Sequence, residues 1–197
     1  MTAPQTERRQ NADTDRYFNA LFDAAPRFVV PGEAAFSDLD NEMLIATLGA
    51  GIGVSLHDSE LNLGALAYVS LTKQVLDVFP YFKDASDDML KDAFTPLNDA
   101  IAQMKQHGAG KNRIYVRLVG GANLTKITPD AGTKNAVFVK EYLSRQGLSV
   151  LNEDIGGPFI RRLHFFPSTG RAVRMVLKRQ SDTEYVEQLE SAYHQNI

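Results

Sequence analysis

Alternating hydrophobic and polar positions predict most of the strands in this chain. The pattern is clearest where Ile52, Val54 and Leu56 alternate with small or polar residues, which predicts a strand with one apolar face. The other face begins with Gly49, Gly51 and Gly53. Glycine carries no side chain, so the backbone here can lie close to a neighbouring group. Either a packing neighbour, which we favour, or a bound ligand accounts for these glycines.

The stretch 63–72 also alternates, and the short polar link Ser59-Glu60 predicts that it pairs with the first strand in an antiparallel manner. Further strands are predicted at Arg27–Val30, Ala34–Phe36, Met43–Leu48, Arg113–Val119, Leu148–Leu151, Ile160–Phe166 and Val173–Lys178. The last two flank Pro167–Arg171 and form a predicted hairpin, and Asn152–Gly157 is predicted to be a loop.

Apolar residues at helical spacing predict four helices. They are a short helix at Asp15–Asp23, one through 93–104, one at Thr133–Arg145 closed by Gly147, and a last one at about 182–194. For the second, either Thr95 caps the helix with Pro96 at its first position, or the helix starts at Ser86 and Pro96 kinks it. Ser181 and Glu184 predict a capping box for the last helix, which Val186, Leu189 and Tyr193 would dock.

Many short strands with few strand–helix–strand alternations predict an α+β fold. We expect one domain over 15–197, a layered sandwich of mostly antiparallel or mixed sheets with helices on one side, after a disordered tail at 1–14. The chain has 197 residues, of which 44% are hydrophobic, enough for one full core.

Composition limits the function. The net charge is −3 and the isoelectric point about 5.8, so no overall electrostatic argument favours nucleic acid as a partner. No apolar run is long enough to cross a bilayer, so we expect no membrane insertion and a cytoplasmic protein.

Cysteine is absent, which excludes disulfides, thiolate ligands and a cysteine nucleophile. The four histidines are scattered, without metal-ligand spacing, and no phosphate-binding or dinucleotide-binding glycine motif occurs. We therefore expect neither a metal nor a cofactor.

Six segments occur in an order and spacing that resembles one known family. They are Val30–Glu33, Leu44–Asp58, Gly64–Leu71, Val119–Asn123, Gly132–Asn135 and Glu153–Gly157, the last continuing through Thr169-Gly170. The chain thereby resembles the CheD family of chemoreceptor glutamine deamidases, from about Phe28 to Leu177. The resemblance implies a CheD-like deamidase fold and a role in chemotaxis.

The resemblance also implies where a cysteine protease-like site would lie. The position of the family's cysteine is Gly51, that of its histidine is Tyr68, and that of a threonine that orients the histidine is Ile45. Amide hydrolysis by this route needs a thiolate and an imidazole. Glycine supplies no nucleophile, and tyrosine is a poor base at neutral pH. We therefore expect no catalytic residues and an inactive protein.

Two residues could form a substitute site. Ser55 and His57 are predicted to share a strand face with Gly51 and Tyr68, but we identify no acid to orient the histidine. Tyr68 is expected to be a packed ring above Gly51 that plugs the former cleft. The expected binding cleft comprises Gly49, Ala50, Gly51, Tyr68, Gly120, Gly121, Ala122 and Asn123.

Three functions follow from this resemblance. The favoured one is a non-catalytic protein that binds a chemoreceptor cytoplasmic domain, a CheC-type phosphatase or another signalling protein. The second is an active glutamine deamidase or amidase with a non-standard site, and the third is a structural or assembly component that reuses the fold. The segment 73–88 could carry a new interface through its aromatics, or these could be core residues: Phe79, Tyr81 and Phe82.

Overall fold

The structure, a computed structural model, describes residues 22–77, 93–124 and 130–195. The predicted tail at 1–14, nearly all of the predicted helix at Asp15–Asp23, and the aromatics Phe79, Tyr81 and Phe82 lie outside these residues. Their predictions remain predictions.

Strands of the described residues form two sheets. The strands are β1 Ala25–Phe28, β2 Ala34–Ser37, β3 Glu42–Leu48, β4 Ile52–Asp58, β5 Leu63–Val69, β6 Ile114–Gly120, β7 Val150–Ile155, β8 Ile160–Phe166 and β9 Arg171–Leu177. One sheet has four strands in the order β1-β3-β8-β9, and the other has five in the order β2-β5-β4-β6-β7. Neighbours are antiparallel except for β1 with β3 and β6 with β7.

The helices are α1 Lys73–Asp77, α2 Thr95–Gln106, α3 Ala131–Arg145 and α4 Gln180–Gln195, with a 3₁₀ turn at Lys111–Arg113. Helices α2 and α3 cover one face of the five-stranded sheet, and the four-stranded sheet packs on the other. The predicted α+β layering with mixed sheets is confirmed. No helix in the described part of the chain is both long and apolar enough to span a membrane.

The alternation along β4 produces this layering. Its apolar residues Ile52, Val54 and Leu56 are buried against the helical layer, together with Phe94 and Phe138. Its small residues face the second sheet, so the two sheets can approach each other closely. The core between the sheets is built from these buried residues: Val29, Ala35, Leu44, Ala46, Leu48, Leu66, Tyr68, Val119, Leu163 and Phe165.

His164 lies on the outer face of the four-stranded sheet, where Met43, Ile45 and Phe166 form a third cluster. Its ring centroid is 6.0 Å from that of Phe22. Burial and then the nearby positive charge of Arg162 lower the pKa of His164 to about 4. The imidazole is therefore neutral in the folded protein near neutral pH.

Several predicted boundaries are wrong. The strand predicted at Leu148–Leu151 is β7, which runs through most of the segment predicted as a loop. β1 begins at Ala25, two residues before the predicted start, with Pro26 inside it. Neither predicted serine or threonine cap is present, since Thr95 and Ser181 both lie inside their helices.

Candidate functional site

The site is built on the turn Gly49-Ala50-Gly51, by which the chain crosses from β3 in one sheet to β4 in the other. The carbonyl oxygens of this turn accept hydrogen bonds from the segment after β6. Gly121 N–H donates to the Gly51 oxygen at 2.9 Å, and Ala122 N–H donates to the Gly49 oxygen at 2.8 Å. The turn is thus held in place by backbone bonds, while its own three N–H groups remain for other partners.

Tyr68, on β5, fills the space beside Gly51. A Cβ atom at Gly51 would lie 2.6 Å from Cε2 of the Tyr68 ring and 2.9 Å from the Val69 carbonyl oxygen. The Tyr68 side chain is wholly buried, and its hydroxyl accepts a hydrogen bond from Gly49 N–H at 3.4 Å. Gly51 is therefore required for packing, as favoured from the sequence, and the ring lies above it as expected.

Glu190, from α4, takes the remaining donors of the turn. Its Oε1 accepts hydrogen bonds from Gly51 N–H and from the Tyr68 hydroxyl, both at 2.8 Å. Its Oε2 accepts one from Ala50 N–H at 3.1 Å. Each of the three consecutive N–H groups thereby reaches Glu190, directly or through the Tyr68 hydroxyl.

Burial is the largest influence on the pKa values of Tyr68 and Glu190. Desolvation raises the pKa of Glu190, although the hydrogen bonds from Gly51, Tyr68 and Ala50 favour its ionised form. The pKa of Tyr68 lies well above its usual range because of burial and then the negative charge of Glu190. Tyr68 is therefore a hydrogen-bond donor here and cannot serve as a base at neutral pH.

Helix α4 lies over the turn with one face. Val186 packs on Gly49, where a Cβ would come within 2.6 Å of the valine Cγ1. Two turns further, the ring of Tyr193 covers Gly32, whose φ of +81° favours glycine. His194 Nε2 lies 3.0 Å from Ser70 Oγ. Positions 186, 190, 193 and 194 share a face because of the helical repeat.

A small cavity of about 120 Å³ remains beside the turn, where α4 meets the helical layer. Its walls include Ala50 and Leu71 from the body and Glu190 and His194 from α4. Of the residues of the predicted cleft, Ala50 lines this cavity.

The predicted cleft residues divide into two groups. Gly120, Gly121 and Ala122 border the turn through the backbone contacts given above, and a Cβ at Gly120 would lie 2.5 Å from the Gly51 oxygen. Asn123 instead holds the start of α3, with its Oδ1 accepting from Thr133 N–H at 3.2 Å.

Ile45 is separated from Gly51 and Tyr68. Its side chain belongs to the cluster on the outer face of the four-stranded sheet, whereas Tyr68 lies between the two sheets. Position 45 therefore cannot orient a group at position 68.

Ser55 and His57 do not form a catalytic pair. Ser55 Oγ donates to the Arg117 carbonyl oxygen at 3.4 Å. His57 Nδ1 lies 2.9 Å from the Pro167 oxygen and 3.1 Å from the Leu63 oxygen. No hydrogen bond joins Ser55 to His57 in this part of the structure, so the serine lacks an adjacent base.

The site binds a carboxylate, that of Glu190, through hydrogen-bond donors. The turn supplies N–H donors and Tyr68 supplies a hydroxyl, whereas no side chain of the turn can act as a nucleophile. Across residues 22–77, 93–124 and 130–195, no group of three histidine or acidic side chains is placed to hold a metal ion.

Replacing Gly49 by alanine is expected to destabilise the protein by about 2 kcal/mol, because the added methyl group overlaps Val186. Chemical denaturation of the single variants and of the double variant Gly49→Ala/Val186→Ala measures the coupling. The cost of Gly49→Ala should fall by about 1 kcal/mol or more when Val186 is shortened. Strictly additive costs would contradict the packing of α4 on this glycine.

Fold and site together define a helix-covered, two-sheet domain whose cleft is closed by its own last helix. A family model described as CheD chemotactic sensory transduction matches residues 82–175. The chain is 31% identical over 177 residues to a protein of Xanthomonas campestris pv. campestris. The alignment covers 87% of this chain and 83% of that protein. The chain is also 28% identical over 194 residues to a protein of Rhodopseudomonas palustris (strain BisA53). This alignment covers 98% of this chain and 89% of that protein. Both relatives are named probable chemoreceptor glutamine deamidase CheD.

The identity and coverage of the Xanthomonas relative show that the chain belongs to the CheD family. The resemblance found in the sequence is thereby confirmed, and the chain is a chemotaxis-related protein.

Proposed function

We propose that this CheD-family protein binds a protein partner in chemotaxis without hydrolysing glutamine. The partner is the cytoplasmic domain of a chemoreceptor, in keeping with the names of the relatives, or a CheC-type phosphatase or another signalling protein. A cytoplasmic location fits such a partner. The observation that carries the proposal is Glu190 bound to the turn at which the family's nucleophile would stand.

Two further features support the loss of catalysis. The chain has no cysteine, and the space that a side chain at position 51 would need is taken by Tyr68. Removing one member of a nucleophile–base unit typically costs a thousandfold or more in rate. Here both the nucleophile and the base positions hold residues without that chemistry.

The ordered scaffold supports a role in binding. The described residues form two sheets, a helical layer and the backbone bonds that hold the turn, so the scaffold can present a surface even where chemistry is absent. No observation favours Ser55 as a replacement nucleophile, because its hydroxyl is directed to a backbone carbonyl.

The proposal is tested with purified cytoplasmic fragments of chemoreceptors. We expect the wild-type protein to bind a chemoreceptor fragment in a binding assay. Peptide mass spectrometry should find no conversion of glutamine to glutamate above the no-enzyme blank. A cysteine-containing family member serves as the positive control for conversion. Conversion by this protein, or absence of binding to receptor fragments and to a CheC-type phosphatase, would refute the proposal.

A further inference from the structure

A cavity of about 220 Å³ lies between the two sheets, near the end of β4 that is far from the turn. Both sheets line it, with His57 from β4, Arg117 from β6, Phe165 from β8 and Gly170 from the loop between β8 and β9. At about 3.4 Å per residue along an extended strand, His57 lies about 20 Å from Gly51. The cavity and the turn are therefore separate places on the molecule.

Arg117, Gly170 and His57 lie together in the wall of this cavity. Arg117 Nη1 donates a hydrogen bond to the Gly170 carbonyl oxygen at 3.2 Å. Gly170 in turn packs on the His57 ring, since a Cβ atom at this glycine would lie 2.3 Å from Cδ2 and 2.7 Å from Nε2. The guanidinium is thus held in place by a neutral backbone group, which leaves its positive charge uncompensated.

The charge of Arg117 has no acidic partner within the described ranges. No ion pair there includes Arg117, and none of the described residues that line the cavity is acidic. The bond to Gly170 uses one of five N–H donors. Nε and Nη2 form the planar fork by which arginine binds both oxygens of a carboxylate. The wall around Arg117 therefore favours an anion.

The remaining walls favour an apolar body on that anion. Leu151 and Tyr115 also line the cavity, although 68% and 49% of their respective surfaces are exposed to solvent, and Phe165 is buried. The volume corresponds to roughly seven water molecules, so a small organic molecule fits it. One arginine matches a single negative charge, whereas a phosphate brings nearly two charges and three acceptor oxygens.

We infer that this cavity is a binding site for a small monocarboxylate with an apolar body. Arg117 pairs with the carboxylate, and Leu151, Tyr115 and Phe165 contact the apolar part. Ser55 and His57, which do not form a catalytic pair, thereby line a ligand site instead. The inference goes beyond the proposed function, and neither depends on the other.

The test titrates the ¹⁵N-labelled full-length protein with phenylacetate and follows the amide signals by NMR. Phenylacetamide is the uncharged ligand of the same shape, and phenyl phosphate is the competing anion. Arg117→Gln removes the charge in the cavity wall, and Leu151→Glu places a negative charge at the mouth, on a residue exposed enough to leave folding intact. Lys73→Gln, which removes a positive charge from an exposed position on α1, is the matched control.

We expect phenylacetate to shift the amide signals of His57, Arg117 and Gly170. Arg117→Gln should weaken phenylacetate binding by roughly tenfold or more, because the hydrogen bonds lost are those between charged groups. Leu151→Glu should weaken it as well, through repulsion between like charges, and Lys73→Gln should not. Phenylacetamide should bind the wild type roughly tenfold more weakly than phenylacetate, for the same reason as Arg117→Gln.

Several outcomes would overturn the inference. They are the absence of these shifts at millimolar phenylacetate, equal binding of phenylacetate and phenylacetamide, and full retention of binding by a folded Arg117→Gln protein. If Arg117→Gln does not fold, as judged by circular dichroism, unchanged binding by Leu151→Glu has the same meaning. Tighter binding of phenyl phosphate than of phenylacetate would overturn the assignment to a monocarboxylate.

Discussion

Placing a cysteine at position 51 is expected to destabilise the protein and to produce no deamidase. The new Cβ would lie 2.6 Å from the Tyr68 ring and 2.9 Å from the Val69 carbonyl oxygen, and the latter belongs to the backbone and cannot rotate away. Overpacking of this kind costs about 3 kcal/mol, which corresponds to a fall of roughly 10 °C in melting temperature for a domain of this size. Differential scanning calorimetry and the mass-spectrometric glutamine assay measure the two outcomes.

Gly51→Ala is the matched control, because the overlap begins at Cβ and not at the sulfur atom. The two variants should therefore lose similar stability. The cost of Gly51→Cys should be smaller in a Tyr68→His background than in the wild type, since the smaller ring relieves one contact. The double variant should remain inactive while Glu190 holds the turn. A Gly51→Cys protein as stable as the wild type would contradict the close packing described for this site.

The second large effect is expected from His164 at acidic pH. Its pKa is lowered to about 4 in the folded protein, against about 6.5 in the unfolded chain, so the unfolded state binds more protons between these values. Stability from this residue is complete above pH 6.5 and is lost as the pH falls to about 4. The full loss is about 3 kcal/mol, since each unit of pKa shift corresponds to about 1.4 kcal/mol.

Urea unfolding of the wild type and of His164→Leu at pH values from 7 to 4 measures this contribution as the difference between the two curves. The difference is needed because His194, whose pKa burial also lowers, acts in the same direction, whereas the raised pKa of Glu190 acts in the opposite one. Parallel curves for the wild type and His164→Leu would contradict the effect of burial.

Much of the fold follows from local pattern. The strands β3, β4, β5 and β8 and the helices α2 and α3 carry a period of two or of 3.6 that matches their burial, and they were predicted within a few residues. Strand β7 was misplaced because its middle is polar. Its charges are paired with side chains of α3 and β8, Glu153 with Lys140 and Asp154 with Arg161, so no apolar alternation marks it.

Only part of the site could be predicted from the sequence. Glycines at 49 and 51 and an aromatic at 68 indicated a filled cleft, because close packing of a ring on glycine needs no long-range information once the two strands are paired. Glu190 was missed, since it lies about 140 residues from the turn. The available signal was an acidic residue on the same helical face as Val186 and Tyr193, where an apolar residue is the usual choice.

The short connection from β9 to α4 affects how strongly the helix is held on the turn. Only Lys178 and Arg179 separate the end of the strand from the start of the helix. A segment tethered this closely meets its site at an effective concentration on the order of millimolar. The same helix supplied as a separate peptide at micromolar concentration would therefore have to bind roughly a thousandfold more tightly to occupy the turn to the same extent. The short tether thus favours the docked helix without adding any contact between the helix and the turn.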